Sequence, residues 1–594
     1  MKLKITQHFQ KRWQDYASFL LMLVIIFAMM YHLMGLNQFK LDVPMSYYGG
    51  DDMGVIVNAK MFTEQGWNLT SDRLGAPYSV QYYDFTTSML HNVGLAIMKV
   101  FAVITHDAAA AMNLTYLSVF FIAGIVSYFV MRNLKINCWV ASLLSSVFAL
   151  SPYMLCRNIS HIVLTECYFV PLSILLCIWI YERDDVLAIN KDFFKKPINY
   201  VAFLFTFLIA NNGIAYYPFF TCFILLVTAV SKLVKTRKIK EALRGIIAVV
   251  MICFNVVLAI LPGKIYTLQH GVNASAIDRG GFYQAEIYGM KISQLFMPVN
   301  GHGIYDKYID IYNDYGQLVN ENWTSYLGIM GMIGFIILMI CLFIQKQDEV
   351  RNRLRILSEL NVFMVLLGTI GGIGAMFAFF VSPMLRGYNR ISIFVEYVSL
   401  LAVAILLTEF IKYCQKKYGS FKVRRRTAFA ITVAVTGCAC LLSIWEGCPD
   451  LATPDYESIE AEYTSDREFV EAIESQTEAG SMIYQLPYHP YPEWGVVNEM
   501  NDYDLFVGFL HSKTLKWSYG NIKGRTEDEW AENVSEMSEK EMVKYLKEQG
   551  FAGIYIDRRA YTEEEIEELE NELISIIGNK PLESANKNLS YFAF

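Results

Sequence analysis

The sequence predicts a polytopic α-helical membrane protein of about 11 transmembrane helices, followed by a C-terminal extracytoplasmic α/β domain. Three observations carry that prediction. More than half of the 594 residues are hydrophobic. The apolar residues gather in blocks of about 17 to 25, the length that crosses a bilayer. Lys and Arg crowd into alternate connecting segments, as they do when a chain threads a membrane repeatedly.

The first block, Tyr16 to Gly35, follows the basic start MKLKITQHFQKR and has no small-residue cleavage site behind it. It is read as a retained anchor. Further blocks centre on residues 114–131, 139–155, 162–181, 199–211, 214–234, 245–262, 325–344, 359–381, 391–411 and 427–445. The fifth is short, and ANNGIAYYP (Ala210 to Pro218) after it reads as a tight polar turn. With the N-terminus inside, the inner segments hold 27 Lys and Arg and the much longer outer segments hold 11. That bias sets the N-terminus in the cytoplasm and the C-terminal domain outside.

The expected organisation is a membrane domain over 1–448, with large outer loops at 36–113 and 263–324, and an α/β domain over 449–594. Within the first outer loop, Phe85 to Ile104 has apolar residues at helical spacing interrupted by His91, Asn92 and Lys99. It reads as an interfacial helix, with a twelfth span as the alternative. In the tail, DREFVEAIES and SEKEMVKYLKEQG look like amphipathic helices, while SMIYQLP and FAGIYIDR look like short buried strands. The net charge of −7 comes from that acidic tail, so it says nothing about partners, and no nucleic-acid partner is expected. Nearly all of the eleven cysteines fall in or beside apolar blocks, which implies neither a disulfide framework nor a Cys-type metal site.

Every unusual polar stretch falls on the outer side. SYYGGDDMGV, which begins about a dozen residues past the first block, holds Asp51 and Asp52. Carboxylates there can serve as a general base on an acceptor hydroxyl or hold a divalent cation against a phosphate, although GGDD is also ordinary turn chemistry. SPYMLCRNISHIVLTECYF places Arg157, His161 and Glu166 at the junction of the third and fourth helices, where a structural Arg157–Glu166 ion pair is the plainer reading. SPMLRGYNRISIFVEY sets Arg386 and Arg390 four residues apart at the outer mouth of the tenth helix. Two arginine forks one turn apart can clamp a phosphate, and snorkelling to headgroups is the alternative. The loop 263–324 is rich in Tyr, Gly and acidic groups and offers Glu286, His302 and Asp306 to a sugar, as a packed loop would also do. His489, Glu493, His511, Trp517 and Lys523 lie in aromatic and polar loops of the tail and are equally open to an acceptor or to packing.

This layout resembles the GT-C superfamily of integral membrane glycosyltransferases that use lipid-phosphate-linked sugars, and is most similar to bacterial cell-envelope members. The resemblance rests on GGDD in a long first outer loop, an interfacial helix after it, a polar second outer turn, the late outward LRGYNR and a soluble outer tail. It implies transfer of a sugar from a polyprenyl-phosphate donor to an envelope glycan or polymer acceptor, in a bacterial plasma membrane. Asp51 or Asp52 would be the catalytic carboxylate. Arg386 and Arg390 would bind the donor phosphate; by their position at the outer rim, rather than by the resemblance, Arg157 and His161 are added to that phosphate group and Glu166, Glu286 and His302 to the substrate contacts. A divalent cation, Mg or Mn, is a candidate at Asp51 and Asp52. RNISHIVLTE nevertheless lacks the further D-x-D pair of metal-using relatives, which favours a metal-free, base-assisted displacement. The absence of a G-x-x-x-x-G-K-[ST] loop fits a reaction needing no nucleotide. A lipid-linked glycan flippase or transporter and a polysaccharide polymerase are the rival readings; the first predicts paired repeats and charges near the bilayer midplane.

Overall fold

The computed structural model describes residues 2–64, 66–85, 89–277, 279–299, 322–344, 348–419, 421–449 and 452–594. Among them, eight helices are long and apolar enough to cross a bilayer: Arg12–Leu33, Ala108–Asn133, Cys138–Arg157, Ile162–Glu182, Tyr216–Thr236, Ile239–His270, Tyr388–Lys417 and Lys422–Glu446. Three shorter apolar helices, Asn92–Thr105, Pro197–Ala210 and Gly328–Cys341, accompany them. Fourteen residues rise only about 21 Å, short of the roughly 30 Å hydrocarbon layer, so the last two are too short to cross it as straight rods. The third, fourth and tenth expected helices form the buried centre, while Arg12–Leu33, Ile239–His270 and Lys422–Glu446 expose Leu20, Val24, Phe254, Val257 and Val435 to the surroundings. Apolar side chains in that number on the outer surface call for lipid around them.

Three of the expected helices are broken, each for a local reason. The third stops at Ala149 and restarts at Pro152, where Ser151 Oγ caps Met154 N and proline opens the new turn. The fourth runs Ile162–Thr165 and then Val170–Glu182, with Pro171 in its first turn. The ninth, expected over 359–381, starts earlier, as Glu349–Gly368, and ends in TIGG before Ile373–Phe380. Gly371 sits at φ +69°, and a Cβ on Gly372 would come within 2.2 Å of the Leu366 carbonyl. Met290 of the second outer loop fits into this break: its N–H donates to Gly368 O and its carbonyl accepts from Ile370 N, at 2.7 and 3.1 Å.

The helix expected within Phe85 to Ile104 forms as Asn92–Thr105. In the tail, the helices Tyr456–Gln476 and Glu539–Glu548 and the strands Met482–Leu486 and Phe551–Asp557 fall where the sequence pattern puts them. These strands are parallel, with Lys516–Trp517 parallel on the other side of Met482–Leu486. Leu589–Ala593 runs antiparallel beside Phe551–Asp557, and Leu582–Glu583 closes the far edge. The first outer loop adds itself to the near edge: Trp517 N donates to Arg73 O and Ala76 N to Trp517 O, both at 2.9 Å. Arg73 continues the seam to Leu515 O and Ser512 Oγ. Loop and tail therefore fold against each other, and the sheet edge is covered.

Candidate functional site

The site is built where the first outer loop meets the tail. Tyr47 and Tyr48 do not face it: both hydroxyls donate to Asp466 of the tail, Tyr47 at 2.9 Å, and Arg559 stacks 4.0 Å over the Tyr48 ring. Anchored there, the chain turns through Gly49 and Gly50, the latter at φ +92°, and enters the helix Asp51–Glu64. A side chain on Gly49 would press within 2.8 Å of Asp52 Oδ2 and 3.3 Å of Ser160 Oγ, so the close turn depends on bare backbone.

The two adjacent carboxylates have different surroundings. Asp52 is fully buried and accepts from Ser46 Oγ (2.6 Å) and Gly49 N (3.0 Å) on one oxygen and from Met53 N (2.9 Å) on the other. Burial raises its carboxyl, and these donors oppose that rise. Asp51 keeps one side open to solvent. Packing on its other sides, then the negative charges of Glu493, Asp502 and Asp52, raises it to about 7, against a smaller opposing effect of Arg279. A carboxylate so placed is matched to taking a proton near neutral pH.

Arg279, at the start of DRGGFYQ in the second outer loop, is 3.0 Å from Glu493 Oε1. Its charge also reaches the hydroxyl of Tyr216, as do those of Arg386 and Arg390. Arg390 lies over the Tyr216 ring at 4.2 Å, Gly387 N donates to the Tyr216 hydroxyl at 3.4 Å, and Arg386 stacks on Tyr288 at 4.8 Å. The two arginines do not form the one-turn helical clamp that their spacing suggests. Arg386 precedes the short turn Tyr388–Ile391 and Arg390 lies within it, before the long helix begins at Ser392, so each stacks on a different aromatic ring. Arg390 thus stacks on Tyr216, the charges of Arg386 and Arg279 also bear on its hydroxyl, and Arg279 is paired with Glu493, whose charge bears on Asp51.

Arg157 belongs to the fringe of this group. Its guanidinium is buried, donates to Thr324 Oγ1 at 3.0 Å and lies 5.2 Å over Tyr153, a ring whose hydroxyl also feels Arg390. Glu166 turns to Gly94 of the helix Asn92–Thr105, where any Cβ would strike its carboxylate at 1.9 Å. The expected Arg157–Glu166 pair is thus replaced by two separate contacts. His161 opens the short helix Ile162–Thr165 at the same junction. Glu286 accepts from Gly371 N at 3.0 Å and so pins the second outer loop to the broken ninth helix, a structural duty. His302 and Asp306 lie outside the described residues.

In the tail, Glu493 faces Asp51, and Lys523 donates to the Glu493 carbonyl at 3.2 Å while reaching over Trp494. His489 approaches Asp502 at 3.5 Å. His511 is a packing residue beside Tyr47 and Tyr463, its imidazole held neutral by burial with a value near 3, and Trp517 is buried against Gly508. Sequence reasoning missed Arg279 and Asp502. Arg279 carried the same signal that singled out Arg386, an arginine on the arginine-poor outer side.

A divalent cation fits these residues poorly. Among the described residues, no three His, Cys, Asp or Glu groups come together as a ligand set, and Asp52 spends both oxygens on its own loop.

The sequence matches the family described as "Domain of unknown function (DUF6311)" over residues 19–379. No curated protein matches it significantly. Among solved structures, ArnT from Cupriavidus metallidurans in the apo state superposes with a TM-score of 0.50 at 9% identity, over 97% of each chain. The same enzyme bound to undecaprenyl phosphate gives 0.47 at 10% identity, again over 97% of each chain. The apo oligosaccharyltransferase of Archaeoglobus fulgidus gives 0.48 at 11% identity, over 92% of this chain and 70% of that one. The fold is the GT-C fold that the outer-loop motifs imply.

Proposed function

The chain belongs to the DUF6311 family and has a GT-C fold, and from that premise we propose that it is a membrane glycosyltransferase. It moves a sugar from a polyprenyl-phosphate donor to a cell-envelope glycan on the outer face of a bacterial plasma membrane. The observation that carries this reading is that Arg279 bears electrostatically both on Asp51, a carboxylate raised to about 7, and on Tyr216, the ring on which Arg390 stacks. One half suits a proton acceptor and the other a departing phosphate.

In the proposed step, Asp51 takes the proton of an acceptor hydroxyl as its oxygen bonds to the anomeric carbon of the sugar. The bond from that carbon to the phosphate oxygen breaks, and the electron pair leaves with the polyprenyl phosphate. Arg386, Arg390 and Arg279 neutralise the charge gathering on the phosphate oxygens, in a site partly screened from water where such contacts are strongest. Asp52 holds the loop so that Asp51 points outward. Breakage of the sugar–phosphate bond drives transfer, so no nucleotide is needed.

The test is transfer of a radiolabelled sugar from polyprenyl-phosphate donors to envelope acceptors, in membranes holding matched amounts of wild type, Asp51→Asn or Arg390→Ala. Transfer by wild type that falls about 100-fold or more in Asp51→Asn supports the reading. Equal transfer by wild type and both variants overturns the site, and lipid-linked sugar crossing the bilayer without transfer identifies a flippase.

A further inference from the structure

At the end of the membrane bundle opposite Asp51 lies a polar cavity of about 320 Å³, bounded by the beginnings or ends of four helices. Helix Arg12–Leu33 contributes Arg12 and Asp15, the C-terminal end of Ala108–Asn133 contributes Arg132 and Lys135, and the last turns of Tyr388–Lys417 contribute Lys412. Four cationic side chains therefore line a space that holds one carboxylate. We propose that this cavity binds the phosphate of an anionic lipid headgroup from the leaflet at that end.

The charges do not cancel internally. Arg132 is held on Asp15 at 2.5 Å and Lys412 on Glu409 at 2.7 Å. Those contacts fix two cations at the cavity wall and consume both nearby carboxylates. Arg12 and Lys135 make no ion pair among the described residues, and Lys135 is set at the cavity by a left-handed backbone, φ +64°, just past the helix end. The first turn of the helix beginning at Cys138 opens on the same space and adds the positive end of its dipole. Two cations remain for a ligand, which matches one phosphate.

The surroundings favour lipid over free phosphate as its source. Trp13 and Tyr16, both exposed, flank Arg12 and Asp15 on the helix that enters the bilayer. Exposed Trp and Tyr at the end of an apolar helix mark headgroup depth. Ile136, Cys138 and Ile411 also line the cavity and give the acyl side of a headgroup an apolar margin. Basic pockets between helix ends at this depth retain anionic lipids.

Native mass spectrometry of the full chain in detergent tests the proposal with phosphatidylglycerol and phosphatidylcholine as probes. Wild type is expected to hold one phosphatidylglycerol in clear preference to phosphatidylcholine. R12Q/K135Q should weaken that retention about tenfold or more, and K135Q alone, the milder change, about fivefold. Circular dichroism melting of each variant separates loss of the site from loss of the fold. Equal retention of both lipids, or unchanged phosphatidylglycerol retention in correctly folded R12Q/K135Q, overturns the proposal. Displacement of the lipid by millimolar inorganic phosphate, with phosphate itself bound, overturns the lipid assignment in favour of a free anion.

Discussion

Arg279 Nη2 lies 3.0 Å from Glu493 Oε1, joining the second outer loop to the tail beside Asp51. The contact has an electrostatic consequence, because Glu493 is the foremost charge holding the Asp51 carboxyl up, while Arg279 opposes it. Glu493→Gln removes the first effect and leaves Arg279 free to act on Asp51. The acidic limb of the transfer-rate profile, set near pH 7 in wild type by a base that must be deprotonated, should move to lower pH in Glu493→Gln. Profiles of kcat/KM measured from pH 5 to 9 check this; an upward or absent shift contradicts the assignment of Asp51 as base.

The adjacent aspartates should separate by assay. Asp51→Asn is expected to lower transfer about 100-fold or more while leaving the melting temperature nearly unchanged. Asp52→Asn places an amide against Ser46 Oγ and Gly49 N, both donors to the native carboxylate. A mismatch of this kind in a buried turn costs about 1–3 kcal/mol, so that variant should lose stability and activity together. Thermal unfolding in detergent alongside the transfer assay distinguishes the two patterns.

That distinction was not legible in the sequence, where Asp51 and Asp52 are equivalent neighbours. It arises from contacts made at close range by Ser46 and the bare backbone of Gly49, which neither spacing nor composition encodes. The apolar blocks were legible because a bilayer demands about 20 apolar residues whatever their neighbours. The helix breaks were less so: TIGG at 369–372 reads as helix in an apolar run until Met290 supplies partners for the freed backbone groups. Arg386 and Arg390 were visible by their position outside the membrane, yet helical spacing misled, because the helix starts two residues after Arg390.

The arginine group should govern the donor. Arg390 stacks on Tyr216 and Arg279, from a different loop, bears electrostatically on its hydroxyl, so replacing either by Ala leaves the other in place. Each single change is expected to lower kcat/KM by about 10- to 100-fold, with the double change costing less than the product because both act on one phosphate. Arg390→Lys should recover only part of the activity, since an ammonium cannot reproduce the planar fork or its stacking on Tyr216.

The tail is held to the first loop by Arg525, whose guanidinium meets both oxygens of buried Asp84 at 2.7 and 2.8 Å and also donates to the carbonyls of His270 and Gly271. Arg525→Ala leaves Asp84, only 4% exposed in its side chain, without its cation. About 2 kcal/mol of docking stability should be lost. Limited proteolysis reads this directly: cleavage near 450 should accelerate in Arg525→Ala and not in Lys544→Ala, whose pair is exposed.

The docked surface should also respond to pH through Asp466, which receives the Tyr47 and Tyr48 hydroxyls and is raised to about 6, chiefly by burial. The sign follows from linkage. A carboxyl whose folded value exceeds its unfolded one binds a proton more tightly when folded, so its contribution is full below about pH 4 and is lost as pH rises through about 6. Asp504, raised to about 7 by burial against the opposing charge of Arg559, acts in the same direction over a range that extends slightly higher. Docking should therefore weaken between about pH 4 and 7 in wild type. Asp466→Asn, which accepts the same hydroxyls without titrating, should flatten that decline in melting temperature; an unchanged slope would place the pH dependence in other groups.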